Sequence, residues 1–312
     1  MDLLKEAEKN TANKPIKYPF YYKFLSLLSV VRGYNIFIIV LAQYLAAIFI
    51  FSPEKSLRDV LFDFNLYLIV LATMSVIAAG YIINNFYDAE KDKINKPIKS
   101  KIDSIVGQRT KLNIYFFLNF LGVFFALLVS WRAALFFTVY IFLIWFYSHK
   151  LKKYPLTGLF SGAILALLPF FVIFIYYKNF SEIIFTHAAF LFFILMIREL
   201  IKDLENIKGD VVQNYMTIPV KYGEYFTKLL ITLIVLLTLD PIYFLLHYPE
   251  IGMMRFYFYF VIAVLLVFCI MLWRAKGKKD YLILHNIIKV IIVVGVLSLT
   301  LIDTSVIINR IL

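Results

Sequence analysis

Nine mostly apolar runs, several of them about 18 to 22 residues long, restrict what this chain can fold into more than any other feature. A helix of about 20 apolar residues crosses a hydrocarbon core of roughly 30 Å with its backbone polar groups satisfied internally. Strand-like alternation is absent, so a barrel is not expected. A chain of 312 residues has room for two soluble domains, but 62% hydrophobic and 17% charged residues and a mean hydropathy of +0.82 point to an integral membrane protein. The expected fold is an all-α membrane protein, a single domain over 1–312 with nine transmembrane helices in one bundle. The spans fall at roughly 24–50, 64–87, 113–130, 133–148, 157–177, 185–202, 229–247, 256–273 and 283–308.

Charge sets the expected orientation. If the polar segment 1–23 is cytoplasmic, the loops on that side carry 22 Lys and Arg and those on the other side six. The positive-inside rule then gives N-in, C-out, with the site opening to the cytoplasmic face, and the expected host is the cell membrane. The net charge of +12 becomes a topological and lipid-facing signal, and nucleic acid is not an expected partner. The N-terminal segment lacks the apolar stretch of a cleaved signal. Cys269 is the single cysteine, and the four histidines lack metal-ligand spacing, so zinc and redox chemistry are not expected.

The two longest cytoplasmic loops each begin with acids that continue a membrane helix. In "IINNFYDAEKDKIN", Asn84, Asp88 and Asp92 are four apart, and on a continuous helix they drift only about 40° per step and share one stripe. Carboxylates on adjacent turns repel unless a cation or a basic partner holds them, and hard oxygen ligands of this kind suit magnesium. In "RELIKDLENIKGD", Asp203, Asn206 and Asp210 share a face. Two such patches facing one another suit two magnesium ions clamping a diphosphate. The loop "WFYSHKLKKYP" adds Tyr147, Lys150 and Lys152, and Arg198 offers a planar fork. The plainer alternative is a solvated helix end, with Asp88 and Asp92 balanced by Lys91 and Lys93 and with ordinary positive-inside lysines.

These residues resemble the UbiA superfamily of intramembrane prenyltransferases. "NNFYDAEKDKINKP" is similar to its first signature and "RELIKDLENIKGD" followed by "TIPVKYG" to its second. "YSHKLKKYPLTG" matches the loop between them, and "VRGYN", containing Asn35, matches the first-helix pattern. The resemblance implies a nine-helix fold and a magnesium-diphosphate set of Asn84, Asp88, Asp92, Asp203 and Asp210. It places Tyr147, Lys150 and Lys152 against the diphosphate. Three departures stand out: Asn206 replaces an acid, "IKSKID" after Pro97 replaces D-R-P-I so that Lys99 is the substitute for an arginine, and Gly33 replaces a proline.

The implied reaction is transfer of a prenyl group from an allylic diphosphate to a lipophilic acceptor in the bilayer. The motifs look most like members that prenylate geranylgeranylglyceryl phosphate, and aromatic acceptors such as 4-hydroxybenzoate or homogentisate are the alternative. No obligatory protein partner is implied. An ion-coupled transporter and an inactive relative are the competing classes; transporters place charges at the midplane in broken helices. Among the other polar residues, Asp240 before Pro241 is a functional candidate by its depth in the span, with capping of a helix broken at Pro241 the preferred expectation; Lys289 is expected to snorkel and Asp303 to be solvated.

Overall fold

Residues 19–303 are described by this computed structural model, so most of the polar segment 1–23 lies outside the described residues. The first apolar run divides at one residue. α1 (Phe20–Val31) and α2 (Gly33–Ala46) meet at Arg32, whose φ of 51° and ψ of 57° are left-handed. A non-glycine residue there costs about 1–2 kcal/mol. Its N–H closes α1 onto the carbonyls of Leu28 and Ser29, and α2 runs on through a π-helical turn, Ala47–Phe51.

The short α3 (Leu57–Leu61) precedes α4 (Phe64–Tyr87). Asp63 caps α4, its Oδ1 accepting from the N–H groups of Asn65 and Leu66 at 3.0 and 3.2 Å. Two short helices follow, α5 (Ala89–Asn95) and α6 (Pro97–Asp103), and then the hairpin of α7 (Gln108–Val129) and α8 (Trp131–His149). Ser130 makes that turn and caps α8 by accepting from the N–H of Ala133 at 3.1 Å. The remaining helices are α9 (Pro155–Tyr177), α10 (Glu182–Val212), α11 (Ile218–His247), α12 (Arg255–Arg274) and α13 (Lys278–Ser298). No strand occurs among the described residues, and nine helical segments there are long and apolar enough to cross a membrane.

α4 is the most enclosed of these nine. It packs closely on α7 because Gly122 has no side chain: a Cβ there would lie 2.6 Å from Val76 Cγ2. Pro169 lies inside α9 and cannot donate to the carbonyl four residues earlier. Tyr140 of α8 replaces the lost donor, its hydroxyl reaching Leu165 O at 3.0 Å. Tyr140→Phe is therefore expected to cost about 1–3 kcal/mol of stability, one buried unsatisfied carbonyl, read as a lower melting temperature in detergent.

Three sequence expectations change here. α11 passes through Pro241 without ending, and Asp240 is exposed on it instead of capping a new segment. Long membrane helices accommodate proline, which hydropathy and a single proline signal do not reveal. Lys289 does not snorkel away from the protein but lines an internal cavity. Lys99 lines neither cavity described below and is ion-paired with Asp103. Asp103 also accepts from Ser29 Oγ at 2.8 Å and Asn85 Nδ2 at 2.9 Å, which ties α6 to α1 and α4.

Candidate active site

Asn84 comes from the last turn of α4, and Asp88 (φ −92°, ψ 5°) is the residue joining α4 to α5. Helical hydrogen bonding carries across the joint, from Asp88 N–H to Asn84 O at 2.9 Å and from Asp92 N–H to Asp88 O at 2.8 Å. The expected stripe therefore persists but bends at Asp88. Opposite it, α10 runs unbroken through the second motif, so Glu199, Lys202, Asp203, Asn206 and Asp210 stay on one face.

Asn95 fastens the two motifs together. Its Nδ2 donates to Asn206 O at 3.1 Å, and its Oδ1 accepts from the N–H of Gly209 at 3.2 Å. A Cβ on Gly209 would lie 2.3 Å from Asn95 Nδ2, so the interlock needs a bare backbone at 209. Lys278 of α13 donates to the backbone carbonyl of Asn95.

Between the motifs lies a small polar cavity of about 30 Å³, lined among others by Asn84, Asp88, Tyr147, Lys152 and Asp203. Lys152 donates to Asp88 Oδ1 at 2.7 Å and to Asn84 Oδ1 at 3.0 Å. Lys202 pairs with Glu199 at 2.6 Å. Tyr215 stands behind, its hydroxyl 3.5 Å from Asp88 Oδ1 and its ring under the ammonium groups of Lys91, Lys152 and Lys153 at 5.1 to 5.8 Å. Such contacts favour cations over an aromatic face. The small cavity shares Asn84, Asp88, Lys91, Tyr147, Glu199 and Lys202 with a cavity of about 420 Å³ that is mostly apolar and runs between α2, α4, α8, α9, α10 and α13.

The remaining expected residues are distributed around this core. Asn35, Asp92, Arg198 and Asn206 line the larger cavity, not the small one. Asn35 donates to Tyr81 OH at 3.1 Å. Asn206 turns its Nδ2 to Lys202 O at 2.6 Å and leaves a buried Oδ1 without a hydrogen-bond partner. Asp210 is fully buried, ion-paired with Lys91 and 3.3 Å from Thr217 Oγ1. Lys150 is exposed and lines neither cavity, because the short 3-10 turn Leu151–Lys153 brings Lys152 inward and leaves Lys150 outside.

Sequence reasoning missed Glu199, Lys202, Tyr215 and Thr217 as site residues and treated Lys91 only as a neutralising neighbour. The signal for the first two was present: positions 199, 202, 203, 206 and 210 share one helical face. Tyr215 and Thr217 sit in the turn after α10, where periodicity gives no direction.

Charge is balanced closely at the α4–α5 joint. Burial alone would raise the Asp88 carboxyl, but Lys152 and Lys91 beside it hold it below its ordinary value. Burial would lower the Lys91 ammonium, and Asp88 and Asp210 instead raise it. The Tyr215 hydroxyl is raised by burial and by the same two carboxylates. Ionised Asp88 is thus the form this environment favours.

The oxygen donors fit magnesium in kind. Asp88, Asp203 and Asn84 offer hard oxygens to one cavity, with no nitrogen or sulfur ligand among them. Among the described residues no three acids converge as a closed metal cage. Magnesium suits such an open set, since it is usually held by one or two carboxylates, waters and substrate phosphates.

Residues 35–283 match the model of the UbiA prenyltransferase family. The chain belongs to that family. Two curated relatives named digeranylgeranylglyceryl phosphate synthase are similar to it. The one from Korarchaeum cryptofilum is 30% identical over 190 residues, 59% of this chain and 66% of the relative. The one from Sulfurisphaera tokodaii is 28% identical over 186 residues, 57% of this chain and 66% of the relative. The matched part thus spans just under two thirds of each relative. The fold matches that of a UbiA homologue from Archaeoglobus fulgidus, solved bound to DMAPP and Mg2+, with a TM-score of 0.65 at 18% identity, covering 88% of this chain and 98% of that one. Family and nine apolar helices together make this a multi-pass membrane protein.

Proposed function

We propose that this chain transfers a prenyl group from an allylic prenyl diphosphate to a lipophilic acceptor, geranylgeranylglyceryl phosphate, in a magnesium-dependent reaction. The observation that carries this is the joining of the two cavities. A polar chamber with paired acids and lysines shares six lining residues with a larger, mostly apolar cavity, which suits a diphosphate head with an isoprenoid tail. The names of the matched relatives support the choice of acceptor.

In this reaction the C1–O bond to the diphosphate breaks, an ether bond forms to the acceptor oxygen, and the proton of the acceptor hydroxyl leaves on the released diphosphate. Asp88, Asp203 and Asn84 would hold magnesium, with Asp92, Asn206 and Asp210 completing the proposed set for two ions. When bound, magnesium neutralises charge on the diphosphate leaving group. Lys152, Lys91 and Lys202 supply further positive charge where negative charge develops on the leaving group, and Tyr147 lines both cavities. The apolar walls keep water from the allylic cation.

The active domain is the whole chain, set in the cell membrane with its N-terminus and both acidic motifs on the cytoplasmic side. The excess of Lys and Arg in those loops supports this orientation. The test is to give purified protein labelled geranylgeranyl diphosphate, magnesium and a panel of acceptors, and to weigh the products. The expected result is a product one prenyl group heavier than geranylgeranylglyceryl phosphate, abolished by a magnesium chelator. Product only from 4-hydroxybenzoate or homogentisate would replace the acceptor. No magnesium-dependent diphosphate release with any acceptor would overturn the proposal in favour of a transporter or an inactive relative.

A further inference from the structure

Six cations line the larger cavity; Lys91 and Lys202 are shared with the polar chamber, and the other four are Arg32 at the α1–α2 joint, Lys96 after α5, Arg198 on α10 and Lys289 on α13. Among the described residues none of the four is in an ion pair. Lys152, Lys91 and Lys202, which line the polar chamber, each hold a carboxylate: Asp88, Asp210 and Glu199. The acids facing Lys96 are Asp92 and Glu205, and Glu205 is bound to His285 at 2.8 Å. Positive charges gathered against apolar walls repel more strongly than in water. Burial and the nearby Arg32 guanidinium push the Lys96 ammonium down to about 8. Arg32 is held in this cluster in a left-handed backbone conformation, its guanidinium 5.2 Å over the Tyr81 ring.

The geometry points to a second anion site, formed by Arg32, Lys96, Arg198 and Lys289, that takes the phosphate monoester of the lipid acceptor; it rests on the function proposed above. The donor diphosphate goes with the carboxylates and lysines of the small chamber. Arg198 lies one helical turn, about 6 Å along the axis, from Lys202, so the second site adjoins the first without being part of it. In a glyceryl phosphate the free hydroxyl sits on the carbon next to the one bearing the phosphate. A phosphate anchored at the four cations therefore holds that oxygen a few bonds away, at the boundary the two cavities share. Two guanidinium forks and two ammonium groups match a dianion with three acceptor oxygens. An aromatic acid brings one carboxylate charge and would leave more of this cluster unmatched.

The test uses Lys289→Met and Arg198→Gln in the full chain, each first shown to be monodisperse in detergent with an unchanged melting temperature. Each is expected to raise KM for geranylgeranylglyceryl phosphate about tenfold, the loss of one charge-assisted contact, with KM for geranylgeranyl diphosphate changed less than about twofold. Lys289→Arg keeps the wild-type KM. With geranylgeranylglycerol, which lacks the phosphate, wild type falls below the single variants acting on the phosphate, and wild type and variants become equal. A rise in the donor KM instead, or equal losses with both acceptors, overturns the second site. A wild type active only on aromatic or uncharged acceptors overturns it as well. A wild type inert with every acceptor overturns the proposed function itself, and is told apart by that control.

Discussion

Asp203→Ala and Asp88→Asn are each expected to lower prenyl transfer by at least about 10²- to 10³-fold, the cost of removing one charged group that acts on the leaving group. The two substitutions differ for a structural reason. Asp203 lines the polar chamber, and among the described residues no ion pair or hydrogen bond holds its carboxylate, so truncation to alanine leaves the surrounding contacts in place. Asp88 is the partner of Lys152, whose side chain is itself almost wholly buried. Asp88→Ala would strand that ammonium, and breaking a buried pair from one side costs about 3–5 kcal/mol. Asp88→Asn keeps an acceptor oxygen for Lys152 and removes only the charge, so loss of activity is separated from loss of fold. The measurement is turnover of purified protein at saturating donor, alongside chromatographic behaviour and melting temperature. Near wild-type turnover in both variants would sink the metal-binding assignment.

The sequence announced the helices better than their interruptions. Arg32-Gly33-Tyr34-Asn35 interrupts the apolar character of the first run, but the sequence reading carries one span straight through it from 24 to 50; in the structure one left-handed residue, Arg32, divides α1 from α2 and the membrane-crossing segment begins at Gly33. The reverse error occurs at Pro241, a strong local signal that α11 overrides. Within the site, the acids were legible because helical spacing puts them on one stripe. Their counter-ions were not, because which lysine reaches which carboxylate depends on how helices distant in sequence are packed. Lys152 meets Asp88 across 64 positions and Lys91 meets Asp210 across the two motifs. Lys289 was misjudged because hydropathy puts the start of span nine at 283: α13 starts at Lys278, which puts Lys289 about three turns into the helix, where it lines the larger cavity. Lys150 and Lys152 look equivalent in "SHKLKKYP", and only the turn at Leu151–Lys153 separates an outward side chain from an inward one.

Gly209→Ala is expected to injure both stability and catalysis, because position 209 is where the two acidic motifs interlock. The added methyl would meet the Asn95 side-chain amide at 2.3 to 2.9 Å, and the amide cannot retreat while donating to Asn206 O and accepting from Gly209 N–H. Overpacking of this kind costs about 1–3 kcal/mol. Relief requires α5 to move off α10, which carries Lys91 away from Asp210 and shifts Asp88 relative to Asp203. A displacement of about 1 Å between groups that must act on one diphosphate is enough for roughly a 10²-fold loss of rate. A second substitution distinguishes the interlock from a general helix defect. Asn95→Ala removes the colliding amide, so the double variant is expected to recover melting temperature relative to Gly209→Ala alone, although neither regains the two hydrogen bonds. An alanine at 209 in a helix interior is otherwise favourable by about 0.5–1 kcal/mol over glycine, so without the Asn95 contact the single variant should be stabilised. A Gly209→Ala protein as stable and as active as wild type would show that the acidic motifs are not held together at this point.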